Sequence, residues 1–230
     1  MDVLTEWKAL ESELLVRREH IRTGAEARVF RGTYLGLDVV IKERYPRTYR
    51  VPELDDELRK KRIRGEARTL VEARNAGVNT PHILDLDLVR CTLILEYLPY
   101  PSLKDVLSAG EGENDLSPFV HEAGRCTGLL HAHDLIHGDL TTSNILMDEE
   151  GSDAGNGPLW FIDFGLAEKT DEIENKGVDL HVFTEAFEST HSVLMELLDD
   201  FYSGYLEGNP NGGEAVIARA GEIAKRGRYS

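Results

Sequence analysis

The chain has 230 residues, 41% of them hydrophobic and 30% charged, with a formal net charge of −16. That length allows one large domain or two small lobes with a sizeable core, and no apolar run approaches the ~18 residues of a membrane span. The acidity argues against nucleic-acid binding by the surface at large, because phosphate backbones are held by Lys and Arg.

In chain order, the start Met1-Asp2-Val3-Leu4-Thr5-Glu6 is acidic and lacks a signal-peptide core. Val3, Trp7, Leu10 and Leu14 recur at helical spacing and predict an amphipathic N-terminal helix. From about 19 to 45 the β-formers Val29, Phe30, Tyr34, Val39, Val40 and Ile41, punctuated by Gly24, Gly32 and Gly36, predict three antiparallel strands. Pro46 and Pro52 bracket a loop. Leu54, Leu58, Arg62, Glu66 and Leu70 then run at helical spacing to Gly77, a C-cap residue, with Leu54, Leu58 and Leu70 marking the buried side. Two strands are expected at about 82–88 and 91–97.

The second half reads as mostly helical. Ser102 caps a helix to about 108, residues 110–114 form a surface loop, and 118–133 is a buried helix. Ile145-Leu146-Met147 and Leu159 to Ile162 predict a hairpin around the Gly-rich stretch 151–157. Three helices are expected at about 176–190, 192–206 and 213–226. Cys91 and Cys126 sit in separate apolar contexts, the setting of buried, reduced thiols, which suits a cytoplasmic protein (also nuclear in a eukaryote). Basic residues crowd into 42–64, where Arg59 to Arg64 reads as a solvated helix face.

Two strings carry chemistry: His137-Gly138-Asp139-Leu140-Thr141-Thr142-Ser143-Asn144, and Asp163-Phe164-Gly165 nineteen residues after Asn144. An Asp five residues before an Asn, with a second Asp downstream, is the set that phosphoryl transfer from ATP needs. Asp139 is the candidate base or orienter of the nucleophile. Asn144 and Asp163 are the candidate Mg²⁺ ligands, since that ion takes hard oxygen donors and keeps waters. His137 sits where a backbone-bracing His lies. Val40-Ile41-Lys42 ends a strand, where a Lys can reach phosphate oxygens, and its carboxylate partner is Glu66, with Glu57 the rival. Leu93 to Leu98 before Pro99 resembles the hinge between kinase lobes, in which the Glu96 carbonyl and the Leu98 amide would bind adenine.

Three features depart from the usual kinase pattern. Where kinases place G-x-G-x-x-G, this chain has Gly24-Ala25-Glu26-Ala27-Arg28-Val29; small Ala25 and Ala27 still let backbone amides approach a phosphate, whereas the Glu26 carboxylate repels one and is left to contact a metal or the Lys42 ammonium instead. Thr141 stands where Ser/Thr kinases carry a Lys, which removes a cation from the transferring group. Only 67 residues follow Asp163 and no A-P-E appears, so a substrate-docking platform and a regulated activation loop are expected to be missing.

The whole chain resembles the small atypical kinase subunit of the KEOPS (EKC) complex. The resemblance rests on Gly24 to Ala27, Val40 to Tyr45, Glu66-Ala67-Arg68, His137 to Asn144, Ile162 to Leu166, Lys176-Gly177-Val178-Asp179-Leu180 and Arg226-Gly227-Arg228. It implies an α+β, bilobal protein-kinase-like fold: an antiparallel-sheet N-lobe over 1–98 and a reduced helical C-lobe over 99–230. It implies a weak, autophosphorylating Ser/Thr kinase that acts as an ATPase in synthesis of threonylcarbamoyladenosine at position 37 of tRNA. The implied cofactors are ATP and Mg²⁺. The implied ATP-binding residues are Gly24, Ala25, Glu26, Ala27, Val29, Lys42, Glu96 and Leu98. The implied partners are the threonylcarbamoyl-transferase subunit, a small subunit docking on the N-lobe, and tRNA through the complex, with no membrane. Two rivals stand beside this reading. A small-molecule phosphotransferase of the aminoglycoside or choline kinase type shares H-G-D-x-x-x-x-N but carries a larger C-terminal region. A nucleotide-binding scaffold would be expected to have lost Lys42, Asp139, Asn144 or Asp163.

Overall fold

Five short β-forming runs pair into one antiparallel sheet. In the computed structural model, which describes residues 15–24, 27–109, 116–148 and 157–227, these are β1 (Leu15–Thr23), β2 (Arg28–Tyr34), β3 (Leu37–Glu43), β4 (Ile83–Asp87) and β5 (Thr92–Glu96), in the spatial order β1-β2-β3-β5-β4. The expected N-terminal helix, the loop 110–114 and residues 151–156 of the hairpin tip lie outside the described residues. Leu35 and Gly36 make the β2–β3 turn with φ of 52° and 81°, a pair of positive values whose twist matches that of the strands. Val39 and Ile41 of β3 are fully buried with Ile94 of β5, and Leu15, Phe30, Tyr34 and Leu84 pack against them. The two-residue period of a strand sends Lys42 to the opposite face from Ile41.

Helix α1 (Pro52–Asn75) begins at a Pro, whose missing N–H costs nothing in the first turn, and carries Glu53 and Asp55 where the helix dipole favours acid. The chain leaves it through Gly77, at φ +89°, whose N–H bonds the Arg74 carbonyl. Its buried side differs from the expected one. Leu54 is 52% exposed, while Asp55, Ile63, Glu66, Ala67, Leu70 and Ala73 are buried. In the first turn the inward place is taken by the Asp55 carboxylate, which accepts hydrogen bonds from the Arg47 N–H, Arg50 and Arg59.

The chain divides into two units, one of residues up to Ala67 plus Pro81–Leu98, the other of Arg68–Thr80 plus Pro99 onward. A division at 98/99 alone therefore misses one segment. Asn79 explains it: its side-chain amide donates to the Gly157 and Leu159 carbonyls, and its own carbonyl accepts the Phe161 N–H.

The second unit contains α2 (Leu103–Ala109), α3 (Ser117–Ala132), β6 (Leu135–Ile136), β7 (Ile145–Met147), β8 (Leu159–Phe161), β9 (Glu168–Lys169), α4 (Ile173–Thr190), α5 (Leu197–Gly208) and α6 (Gly213–Gly227). Ser102 Oγ accepts the Asp105 N–H at 3.1 Å and so caps α2. β7 and β8 pair as the expected hairpin, whereas the β6–β9 pair, two residues a side, is too short to leave a periodic signal. α3 and α5 cross where side chains are absent: a Cβ on Gly124 would lie 1.9 Å from the Phe201 carbonyl oxygen, and one on Gly204 1.9 Å from that of His121. Phe183 of α4 stacks on Phe201 of α5 at 4.0 Å between centroids. The single helix expected at 192–206 is broken. A 3-10 turn spans Ser192–Leu194 and α5 starts only at Leu197, because His191 is fully buried against Thr142 and turns the chain there.

Candidate active site

In the first unit, strand register assembles the phosphate-facing candidates. Lys42 at the end of β3 lies opposite Val29 of β2 on one side and Leu93 of β5 on the other. Its Nζ donates to Glu66 Oε1 at 2.5 Å, and Arg44 Nη2 donates to Glu66 Oε2 at 2.9 Å. All three side chains are buried, so the carboxylate is held between two cations from one strand end. A buried ion is tolerated only when so paired. Glu57 faces solvent.

Gly24 donates its N–H to the Ala27 carbonyl at 2.8 Å and closes the tip between β1 and β2. Tyr45 binds the base of that tip. Its hydroxyl donates to the Gly24 carbonyl at 3.2 Å, and its ring lies between the guanidiniums of Arg28 and Arg47, 4.8 and 4.7 Å from the centroid. Ala27 is buried, while Ala25 and Glu26 lie outside the described residues. Glu96, paired with Val39 in register, exchanges bonds with His82. Its N–H donates to the His82 carbonyl at 2.9 Å, and its carboxylate accepts the His82 N–H and contacts Nδ1 at 2.8 Å. Leu98 is buried two residues on.

In the second unit, the loop after β6 carries His137 to Leu140, and a 3-10 turn carries Thr142–Asn144. Gly138 has φ +78°, and a Cβ there would lie 2.3 Å from the Leu166 carbonyl oxygen, so only glycine fits. His137 Nδ1 accepts the Asp139 N–H at 3.3 Å, which assigns the ring proton to Nε2; that nitrogen donates to the Ile162 carbonyl at 3.0 Å. The ring thus ties the loop to the residue before Asp163, and it packs on Phe164 at 4.7 Å. Asn144 Nδ2 donates to the Asp139 carbonyl at 2.8 Å and to Asp139 Oδ2 at 3.0 Å. Its amide nitrogen is therefore committed, and its oxygen is the atom a cation can take. Asp163 holds a left-handed backbone, φ 64° and ψ 59°, a strained state for a residue with a Cβ and one that concentrates at functional sites. One amide oxygen and one carboxylate fit Mg²⁺, which draws its remaining ligands from water and phosphates.

One residue of this site was assigned no role from sequence. Asp179 of α4 accepts the His137 N–H at 2.7 Å and the Gly138 N–H at 2.8 Å, and His131 Nε2 lies 3.2 Å from it. Burial pulls its carboxyl pKa up, but the His131 bond, the neighbouring imidazoles and the His137 N–H outweigh it and hold the group below its ordinary value. His131 also contacts the Tyr205 hydroxyl at 2.8 Å, so it is a core residue and no metal ligand. The visible signal was an Asp inside Lys176-Gly177-Val178-Asp179-Leu180, but nothing in that string says that it caps a loop forty residues earlier.

The fold and these loops define a class. The protein kinase domain model matches residues 20–193, an α+β kinase fold. The crystal structure of the Rio2 kinase–ADP/Mg²⁺–phosphoaspartate complex from Chaetomium thermophilum superposes with a TM-score of 0.64 over 98% of this chain and 75% of that one; at 15% identity this shows the fold alone. Among curated relatives, the KEOPS complex subunit Bud32 of Pyrococcus abyssi is 39% identical over 91% of this chain and 95% of its own length. The probable serine/threonine-protein kinase BUD32 homolog of Archaeoglobus fulgidus is 40% identical over 84% and 89%. The chain belongs to the Bud32 family of protein kinases. It also matches, at 36% identity, a probable bifunctional tRNA threonylcarbamoyladenosine biosynthesis protein of Methanosphaera stadtmanae, of which it spans only 36%.

Proposed function

We propose that this chain is an ATP-dependent Ser/Thr kinase and ATPase that supports synthesis of threonylcarbamoyladenosine at position 37 of tRNA, as a subunit of a KEOPS complex. The observation that carries the reading is the Asp139–Asn144 pairing in a chain of the Bud32 family. Both rival readings lose ground to relatives that match it nearly end to end under the Bud32 name.

Each residue then has a task. Lys42, paired with and oriented by Glu66, binds phosphate oxygens as a point charge. Gly24 to Ala27 and Val29 cover the nucleotide, and Glu96 and Leu98 present backbone groups to the adenine edge. Asn144 and Asp163 would hold Mg²⁺; ATP supplies the transferable phosphoryl group, and the ion would neutralise its charge. Asp139 orients the attacking hydroxyl or water and takes its proton. With Thr141 in place of a Lys, the chain offers one cation fewer to a protein substrate's phosphoryl transfer, and water is the less demanding acceptor. The partners are a threonylcarbamoyl-transferase subunit, a small subunit on the sheet-bearing unit, and tRNA through the assembly, in the cytoplasm. No described helix is long and apolar enough to cross a membrane.

The test has two arms. Phosphate release from ATP is compared with label transfer to casein, with and without the transferase subunit. Faster release on adding the subunit and scant casein labelling are expected; rapid protein labelling by the isolated chain would overturn the emphasis on ATP turnover. A complex carrying Asp163→Ala should assemble and lose tRNA modification, and full modification by it would sink the assignment.

A further inference from the structure

The long helix α1 breaks two local rules at one place on its surface. Between Glu57 and Glu66 it carries five cations, Arg59, Lys60, Lys61, Arg62 and Arg64, and no acid, in a chain of net charge −16. Arg59 and Lys60 are paired with Asp55 and Asp56. Lys61, Arg64 and Arg68 are exposed, and among the described residues their side chains make no ion pair or hydrogen bond. The carboxylates around them are turned elsewhere. Glu66 is buried against Lys42 and Arg44, and Glu72 meets Lys169 at 3.6 Å. Glu57, one turn before Lys61, is exposed and pairs with none of the three. At spacings of three and four residues the cations are neighbours on the helix, and like charges so placed weaken it. Gly65 lies among them, one turn after Lys61, directly after Arg64 and three residues before Arg68. A glycine inside a helix weakens it too. Packing does not ask for this one: a Cβ there would meet nothing within 4 Å beyond its own helix backbone and its two chain neighbours. Two features that cost the helix stability thus coincide in one exposed patch, and no contact among the described residues makes use of them. Local conflicts of this kind mark functional positions.

We propose that this patch seats the phosphodiester backbone of an RNA strand, with Lys61, Arg64 and Arg68 on its phosphate oxygens and Gly65 letting one phosphate come down onto the helix surface. That the polyanion is RNA rests on the tRNA reading above. Two features favour a nucleic-acid backbone over an acidic protein. The cations form a track, about 4.5 and 6 Å apart along the axis, and a nucleic-acid backbone is a track of single charges held by Lys and Arg. They also stand without an apolar anchor, since the exposed positions from 61 to 68 are only Lys61, Arg64, Gly65 and Arg68. Protein interfaces are depleted in Lys and are built on aromatic or aliphatic anchors. A bare glycine gives a protein partner no side chain to grip, but it admits a phosphate closely. None of the three cations has a task in the nucleotide site.

The test measures binding of an unmodified tRNA transcript by the full chain on filters, from about 50 to about 200 mM KCl. The triple variant Lys61→Gln/Arg64→Gln/Arg68→Gln should weaken binding at least about tenfold at the low-salt end. It should also flatten the slope of log K against log [KCl] by about 2, with ATP turnover at the wild-type rate. Gly65→Leu keeps every charge. It should raise the melting temperature, because leucine is the better helix former, and still weaken RNA binding several-fold; a merely structural role for Gly65 would not move stability and binding in opposite directions. RNA affinity is read on the chain alone and tRNA modification on the assembled complex, so the RNA contact and the tRNA reading fail separately. No binding of the transcript at low salt, an unchanged affinity and salt slope in the triple variant, wild-type binding by Gly65→Leu, or tighter binding of a polyaspartate peptide with the same loss in the variants would each overturn the proposal.

Discussion

The two units hold their key side chains by different means. In the first, Lys42 is fixed by charge: Glu66 on α1 reaches across to it and to Arg44, and the three groups depend on each other. In the second, Asp139 is fixed through its backbone. Asp179 takes two consecutive N–H groups of its loop, His137 ties the loop to Ile162, and Asn144 grips both ends of Asp139 itself. In the proposed roles, a cation that meets phosphates can be held by ion pairs alone. A base that must meet one proton within hydrogen-bond reach needs a rigid mount.

The sharpest way to break this comparison is to remove the chemistry and leave the mount. Asp139→Ala should lower ATP turnover by about 10²–10⁴-fold, the usual worth of a positioned base, with the melting temperature within a degree or two of wild type. A large fall in melting temperature would mean that Asp139 also carries structure. Asp163→Ala should abolish turnover as completely and weaken the response to added Mg²⁺.

The backbone mount is tested at Asp179, which touches no reacting atom. Asp179→Ala strands the buried His137 N–H, the half-buried Gly138 N–H and the buried His131 imidazole, and should cost about 3–5 kcal/mol in urea unfolding. Its native pKa lies below the unfolded one. Its stabilisation is therefore complete above the ordinary carboxyl value near ~3.9 and vanishes as pH falls through the depressed native value. Asp179→Asn should flatten that acid limb of the stability curve; an unchanged limb would show that the carboxylate is not what holds the loop.

These two mounts differ equally in how they appear in the sequence. The Lys42–Glu66 pair was legible because a strand end and a helix each have a period: Glu66 shares the buried face with Leu70, although Leu54 of the expected stripe is exposed, and Glu57 faces solvent. The loop His137 to Asn144 and Asp163 stood out because residue type and spacing point to the chemistry proposed for them. Asp179 did not, since an acceptor for backbone N–H groups needs no partner side chain and leaves no pairing to read. The same physics hid the β6–β9 pair, too short for any period, and the 3-10 turn Ser192–Leu194 that opens the helix expected at 192–206 and follows the buried contact of His191 with Thr142. Asn79 escaped for a similar reason, because it bonds to carbonyls and ties the segment Arg68–Thr80 to the rest of the second unit.

The charge mount should be softer. Glu66→Gln leaves Lys42 and Arg44 a neutral acceptor in place of a carboxylate, a loss of about 1.5–3 kcal/mol in charge-assisted bonding. That corresponds to roughly 10- to 100-fold in kcat/KM for ATP, and a rise in KM with kcat held would place Glu66 in ground-state positioning of Lys42. A loss confined to kcat would put its effect in the transition state.

The smallest effect separates the two faces of α1. Leu54 was expected in the core by spacing and lies exposed, with Asp55 inside. Leu54→Ser should therefore change stability by no more than about 0.5 kcal/mol, whereas Leu70→Ala, on the buried stripe, should cost about 2–5 kcal/mol. A measurable loss at Leu54 in the isolated chain would mean that some other part of the protein covers it. No loss would leave an exposed leucine beside an arginine cluster, a side chain whose apolar surface is spent on something other than the core of this chain.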